Sequence, residues 1–343
     1  MKIKLYALST VLSLLLFSCN KKENTTIKLP EAAEHTETGT DTLQEADETP
    51  RKQSINLFTV MPKDSSDIAF ISLSDVYSVG YEKDTLALPN VEKMGKENAR
   101  YFTFGDIYRK RLLTGANISE TDSVFIIDYA KNKRVSFAVK NLKTAAMLSL
   151  YSSGEDWPYR NFDYMIGFEI DKKLLNGFSE YYSDALVYVG KENPFSKERL
   201  KPISWEKIAK KDYPSKTMKN EERVLLKNTV TGNTYKFKTD SHEYYLQDYL
   251  DSDKIIYGRR LLVINSTTKD IIIEKVYHSN EGSSPCPLNY EEGDEAINQW
   301  TGKLFKNKPP VVFGFEYVSF GCPGISIIDK SNEDIYLQCD NRH

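Results

Sequence analysis

Hydrophobic and polar positions divide the chain into three regimes. Residues 5–17 form an almost unbroken apolar run behind Lys2 and Lys4. Residues 20–53 reverse it, with Thr25, Thr26, Thr36, Thr38, Thr40, Thr42 and Thr49 standing among carboxylates and hardly any large apolar side chain. Such a segment cannot bury enough surface to offset its ordering entropy, which predicts a disordered acidic tether over residues 19–53. His35 lies inside it and reads as solvated. Flexible-coil scaling gives those residues a typical reach of roughly 30 Å. From about residue 55 onward, short apolar runs recur between Gly, Pro, Asn and Asp, and order is expected to begin.

In this third regime, runs at 68–73, 76–81 and 101–104 read as strands. Asp106 as an N-cap and Gly115 just past the end frame a short helix over 107–113. Runs at 124–127 and 135–139 flank the polar turn 131–134 as a hairpin, and 142–150 suits a helix or a strand. A strand at 164–170, a short helix at 172–178 and a strand at 185–189 follow. These strands are not separated regularly by full helices, so residues 54–195 read as a mixed α+β domain rather than a doubly wound one.

Lys, Pro, Asn and Glu crowd residues 190–221, which hold one expected helix at 205–211 and place a domain boundary near 195. Beyond it the pattern is nearly all β. Runs at 222–229 and 234–238 bracket Thr231-Gly232-Asn233 as a hairpin, and 254–265 with 270–278 bracket 266–269 as another. Strands at 311–320, 325–328 and 335–337 complete the set, and Pro309-Pro310 opens the first where a missing amide is tolerated. The expected fold is therefore α+β to mainly β, with residues 196–343 forming an antiparallel β-rich sandwich or open barrel.

A length of 343 residues allows two modest domains or one large one. The 22 tyrosines against 3 tryptophans favour strands and binding surfaces. Net charge is −3 with no strongly basic stretch, so nucleic acid is not an expected partner, because phosphate binding needs a concentrated basic face.

The start of the chain carries the most specific signal. A positive end, an apolar run shorter than the ~20 residues a bilayer requires, and Leu16-Phe17-Ser18-Cys19 give a secretory signal layout over residues 1–18. Its ending resembles the lipobox of bacterial lipoprotein precursors, a resemblance confined to this leader. The resemblance implies cleavage before Cys19, acylation of that cysteine with palmitate-like chains, and a membrane anchor without a transmembrane helix. One acyl chain holds only marginally at about 0.8 kcal/mol per buried methylene, and the family's diacyl or triacyl cysteine supplies the rest. Asn20 is not the aspartate that retains such proteins in the inner membrane of enteric bacteria, which favours the outer membrane. Expected partners are the membrane, through the anchor, and an envelope or secreted protein.

With Cys19 acylated, Cys286, Cys322 and Cys339 remain for one disulfide and one thiol in an oxidising compartment. Cys286–Cys322 is the favoured pair, with Cys286 in the rigid loop Ser283-Ser284-Pro285-Cys286-Pro287 and Cys322 in Gly321-Cys322-Pro323-Gly324 at a strand break. Cys322–Cys339 competes across a hairpin around Ser331-Asn332, whose expected register brings Cys339 nearer Gly324. A metal site from these cysteines with His278 or His343 lacks ligands paired at short spacing, so no metal is expected. Asp240-Ser241-His242-Glu243 reads as a polar strand entrance, because neighbours on a strand point to opposite faces. Glu291-Glu292-Gly293-Asp294-Glu295 lacks the alternating oxygens of a calcium loop. Lys207, Lys210, Lys211, Lys216 and Lys219, near Trp205 and Tyr213, read as a solvated linker face, and Tyr244, Tyr245 and Tyr249 as sheet packing.

Neither His-Glu-x-x-His nor Gly-x-Ser-x-Gly occurs, and there is no Walker loop or Gly-x-Gly-x-x-Gly. The sequence therefore singles out no catalytic residue and no cofactor. It leaves a non-enzymatic binding or protective module, of immunity or inhibitor type, against an anchored hydrolase of envelope glycan or peptide. A converging carboxylate pair with separated pKa values marks the hydrolase, and a shallow apolar surface the binding module.

Overall fold

Alternation along the strands decides how the layers stack. The computed structural model describes residues 55–77, 87–288 and 298–340. The leader, the tether, most of the 76–81 run, the 291–295 cluster and His343 lie outside the described residues. The described chain is mostly β, and a central sheet of nine strands runs through it. In spatial order these are Lys201–Pro202, Trp300–Gly302, Val311–Phe313, Gly324–Ile327, Asp334–Gln338, Leu57–Phe58, Ala185–Gly190, Ser123–Asp128 and Lys133–Ala138.

This order overrides the expected boundary near residue 195. Leu57–Phe58 pairs in parallel with Asp334–Gln338 and antiparallel with Ala185–Gly190, so the first strand of the expected first domain joins the last strand of the second. Contacts unite residues 52–343 in one compact unit.

Two five-stranded sheets pack on this frame. The amino-terminal one is ordered Met61–Pro62, Ile68–Ser72, Tyr164–Asp171, Lys143–Leu148, Tyr101–Thr103; the carboxy-terminal one Glu206–Ile208, Val230–Lys238, His242–Leu250, Ile256–Asn265, Ile271–His278. Register shows that both lie on the same side. Val312 pairs with Ser326, Ser326 with Asp334, Gln338 with Phe58, and Phe58 with Val187, and paired residues share a face. Phe58 and Val187 pack with Ile71, Ile166 and Phe168 of the amino-terminal sheet. Val312 packs with Tyr244, Leu246, Leu261 and Val263 of the carboxy-terminal sheet. The opposite face, carrying Leu57, Leu186, Val311, Ile325 and Ile335, is covered by Phe195, Leu200, Leu304 and Phe305.

Several local expectations are corrected. The helix Asp106–Gly115 has Gly105, not Asp106, at its N-cap, and buries Leu112 and Leu113. Residues 205–211 hold a short strand, Glu206–Ile208, paired to residues 234–236, instead of a helix. The hairpin over 222–238 does not form: Asn220–Leu225 is helical, and Val230–Lys238 continues through Gly232. The run 311–320 splits at Gly314, whose φ of 90° only glycine adopts readily, into Val311–Phe313 and Glu316–Val318. The second piece leaves the central sheet and forms a two-stranded ribbon with Ser283–Pro285.

Glycine also sets one close approach. A Cβ on Gly167 would stand 1.8 Å from the Ile71 carbonyl oxygen, so only glycine lets Tyr164–Asp171 lie this near Ile68–Ser72. Among the described residues no helix is long and apolar enough to cross a membrane.

Candidate functional site

A cleft of about 670 Å³ opens where the carboxy-terminal sheet meets the central one. Its walls are the strand Ile271–His278, the ribbon, the turn around residues 181–183, and the strands Gly324–Ile327 and Asp334–Gln338. The volume falls within the roughly 300–1,000 Å³ of small-molecule sites.

Strand register assembles the floor. Ser326 and Asp334 are direct partners on the face that carries the carboxy-terminal sheet. Lys275 extends from that sheet to meet them, donating to Ser326 Oγ at 2.8 Å and forming an ion pair with Asp334. The cation is thus neutralised by a partner of the fold. Tyr277, on the same face of the same strand, lies flat on Phe315 with ring centroids 4.9 Å apart, and burial pushes its phenol well above its usual pKa.

Glu316 enters from the ribbon. Burial pushes its carboxyl above the ordinary glutamate range and the Asp334 charge adds to this, while His278, Lys275 and a hydrogen bond with Ser283 pull the other way. The floor therefore holds one closed ion pair and one carboxyl biased toward its neutral form.

The mouth is aromatic. Tyr181, Phe320 and Tyr336 line the cleft and stay 72%, 53% and 50% exposed. Tyr181 and its neighbour Tyr182 both sit in the left-handed region, at φ of 51° and 59°. For non-glycine residues that conformation costs on the order of 1–3 kcal/mol each, and strain of this kind persists where surrounding structure imposes it, often at ligand clamps. Beside the cleft a second recess of about 650 Å³ shares Tyr129, Ser183, Phe313 and Gly314 with it. Tyr129 divides the two, edge-on to Trp300 and Phe313 at 5.3 and 5.1 Å.

The cysteines depart from the favoured pairing. Cys322 is bonded to Cys339 with Cα atoms 5.7 Å apart, and Cys286 is a buried free thiol, so the Cys286–Cys322 expectation is wrong. The reason is register. Gly324 faces Tyr336, which centres the hairpin on Lys330 rather than Ser331-Asn332 and carries Cys339 back beside Cys322. Cys286 is meanwhile held at the carboxy-terminal sheet, where its amide donates to the Phe315 carbonyl at 2.8 Å and Arg259 donates to its carbonyl. Burial pushes its thiol up to about 12. Cys322 lines the cleft, and the disulfide fastens the end of Asp334–Gln338 beside it.

The other sequence candidates are taken up by packing. Ser241 Oγ lies 2.9 Å from His242 Nδ1, and burial pushes that imidazole below its ordinary pKa. Glu243 points to the opposite face, where burial opposes its charge but Tyr245 and Lys269 hold it below the usual range. No triad results, because the carboxylate and the imidazole are on different sides of the sheet. Tyr244 bonds Thr301 and Tyr249 bonds Gln247 inside the fold. Of the basic stretch, Lys216 pairs with Glu274 and Lys210 donates to the Thr231 carbonyl, while Trp205 is buried on Gln299. His278 acts on Glu316, and among the described residues no group of three or more His, Cys, Asp or Glu is placed to hold a metal. Cys19 lies outside the described residues.

Sequence reasoning passed over Lys275, Glu316, Ser326, Asp334, Tyr181 and Tyr336. A lysine inside Ile271–His278 and a glutamate inside an aromatic run were the available signals, since a charge in an apolar strand needs a partner. Comparison with protein-family models, with curated proteins and with solved structures finds no match to this chain.

Proposed function

We propose that this chain is a cell-envelope lipoprotein, anchored by fatty chains on Cys19 with the outer membrane as its site, whose folded part is a non-enzymatic binding or protective module acting through the cleft. The observation that carries the reading is the floor: the one lysine there is closed onto Asp334 and Ser326, so its charge serves to hold two sheets together around a large aromatic-lipped cavity. Such a site offers shape, ring faces and a few polar groups, which suit recognition of an envelope macromolecule.

Two measurements test this. Intact-mass analysis of the membrane fraction is expected to find the chain beginning at an acylated Cys19, and a Cys19→Ala variant is expected to leave the membrane. Tagged protein incubated with solubilised native envelope is expected to retain specific material, and a folded Tyr181→Ala/Tyr336→Ala variant to lose it. Retention that ignores the cleft variant refutes the role of the cleft.

The hydrolase reading keeps one observation in its favour, the Glu316 carboxyl raised by burial near Asp334. It predicts turnover of envelope glycan or peptide that Glu316→Gln abolishes. Absence of turnover beside specific retention excludes it.

A further inference from the structure

The cleft discriminates among ligand chemistries by what its floor and lip can satisfy. An anionic ligand meets a lysine already paired with Asp334 and bonded to Ser326, and must break that pair to gain a counter-charge. A cationic ligand meets Asp334 committed to Lys275 and a Glu316 carboxyl that accepts a bond from Ser283. A wholly apolar ligand strands Ser326, Glu316 and Asp334 away from water. Gly324–Ile327 and Asp334–Gln338 lie inside the central sheet with a neighbouring strand on each side, which leaves Ile271–His278, the last strand of its sheet, as the wall edge a peptide strand can reach, and the protein-capture arm of the test below covers that ligand.

We propose that the cleft binds an uncharged oligosaccharide, its ring faces laid on Tyr181, Tyr336 and Phe320 and its hydroxyls turned toward the Lys275–Asp334–Ser326 floor. This rests on the binding reading above and names its ligand class. A sugar ring has a C–H face that lies well on the negative face of an aromatic ring, and an edge of hydroxyls that both donate and accept. Those are the two surfaces the cleft presents, three half-exposed or more exposed rings around a polar, charge-compensated base. The left-handed backbone of Tyr181 and Tyr182 fits the same reading: strain is spent in the turn that keeps Tyr181 in the lining of the mouth with most of its surface exposed.

The test is a glycan array of neutral α- and β-linked oligosaccharides with uronic-acid and sulfated ones as controls, followed by calorimetric titration of the best neutral tetrasaccharide into the detergent-solubilised protein. The expected result is retention of neutral glycans, with affinity insensitive to salt. Tyr181→Ala and Tyr336→Ala are each expected to weaken it about tenfold, the order of one lost stacking ring, while Tyr181→Phe retains it. Retention of anionic glycans alone, of no neutral glycan, or equal binding by the alanine variants at unchanged circular dichroism overturns the proposal. If the alanine variants instead lose capture of an envelope protein, the cleft is a binding site and only the saccharide assignment falls. If they change neither readout, both fall.

Discussion

Replacing Asp248 by alanine is expected to unfold this protein far more readily than removing any surface charge. Arg259 Nε donates to Asp248 Oδ1 at 2.9 Å, and the two side chains are 1% and 2% exposed. The same guanidinium donates to the Cys286 carbonyl, which ties the central part of the carboxy-terminal sheet to the end of the ribbon strand Ser283–Pro285 that walls the cleft. Deleting the carboxylate leaves a buried cation without its counter-charge, at a cost of about 3–5 kcal/mol. At about 2–4 °C per kcal/mol for a large domain, the melting temperature falls by roughly 6–20 °C. Glu120→Ala is the control: it removes a partner of Arg109 that is itself half-exposed, and surface pairs of that kind contribute about 0.2–1 kcal/mol. In the double variant Asp248→Leu/Arg259→Leu no charge is stranded, but the Cys286 carbonyl loses a donor worth about 1–3 kcal/mol, so its stability lies between parent and Asp248→Ala. Thermal melts by circular dichroism with parallel urea titrations read these differences. Asp248→Ala within 1 kcal/mol of the parent, or a double variant worse than the single one, refutes the account of the pair as a buried, mutually dependent unit.

Three further outcomes are expected. Gly167→Ala drives a Cβ into the Ile71 carbonyl and is expected to destabilise the amino-terminal sheet by about 1–3 kcal/mol or more; an unchanged melt contradicts the strand spacing described. Non-reducing peptide mapping is expected to yield a Cys322–Cys339 crosslink, with Cys286 alkylated at pH 8 only after unfolding because its thiol is buried and pushed up to about 12; a Cys286–Cys322 crosslink would reverse the assignment. Glu316 holds its proton more tightly folded than unfolded, so its contribution is present below the ordinary glutamate range and lost as pH rises through the raised folded value. Parent stability relative to Glu316→Gln is therefore expected to decline as pH rises above the ordinary glutamate range, and parallel curves for the two proteins count against a buried Glu316.

The strands that could be read from sequence are those whose apolar pattern is local and whose turn is chemically marked. Residues 124–139 and 254–278 are paired as hairpins, and 68–73 and 164–170 as strands, because Val, Ile and Phe alternate or run together between polar turns. Thr231-Gly232-Asn233 misled for a physical reason. Register shifts between Thr231 and Thr234, and a Cβ on Gly232 would lie 3.0 Å from atoms of Asp248 and Leu250. The glycine serves a bulge and a close cross-strand approach rather than a turn. The lysine-rich stretch after residue 190 resembled a linker because it is polar, yet Lys216 and Trp205 are bound into the sheets on either side of it.

What no local pattern could reveal is the parallel pairing of Leu57 with Leu337, and the cleft depends on it. With Leu57–Phe58 inserted beside Asp334–Gln338, the central sheet runs on from one half of the chain to the other, and both smaller sheets must share its single free face. Sheets twist as they extend, so two layers laid side by side on one face diverge and leave a gap between them. Lys275 reaches down from the carboxy-terminal layer to Asp334 and Ser326 of the frame, while the Cys322–Cys339 bond fastens the far end of the same frame strand. Tyr181 and Tyr336 then reach the lip from segments on opposite sides of the supposed boundary. A site made in this way leaves no motif: its residues become neighbours only through a pairing some 280 positions apart in sequence, which hydrophobic periodicity does not encode.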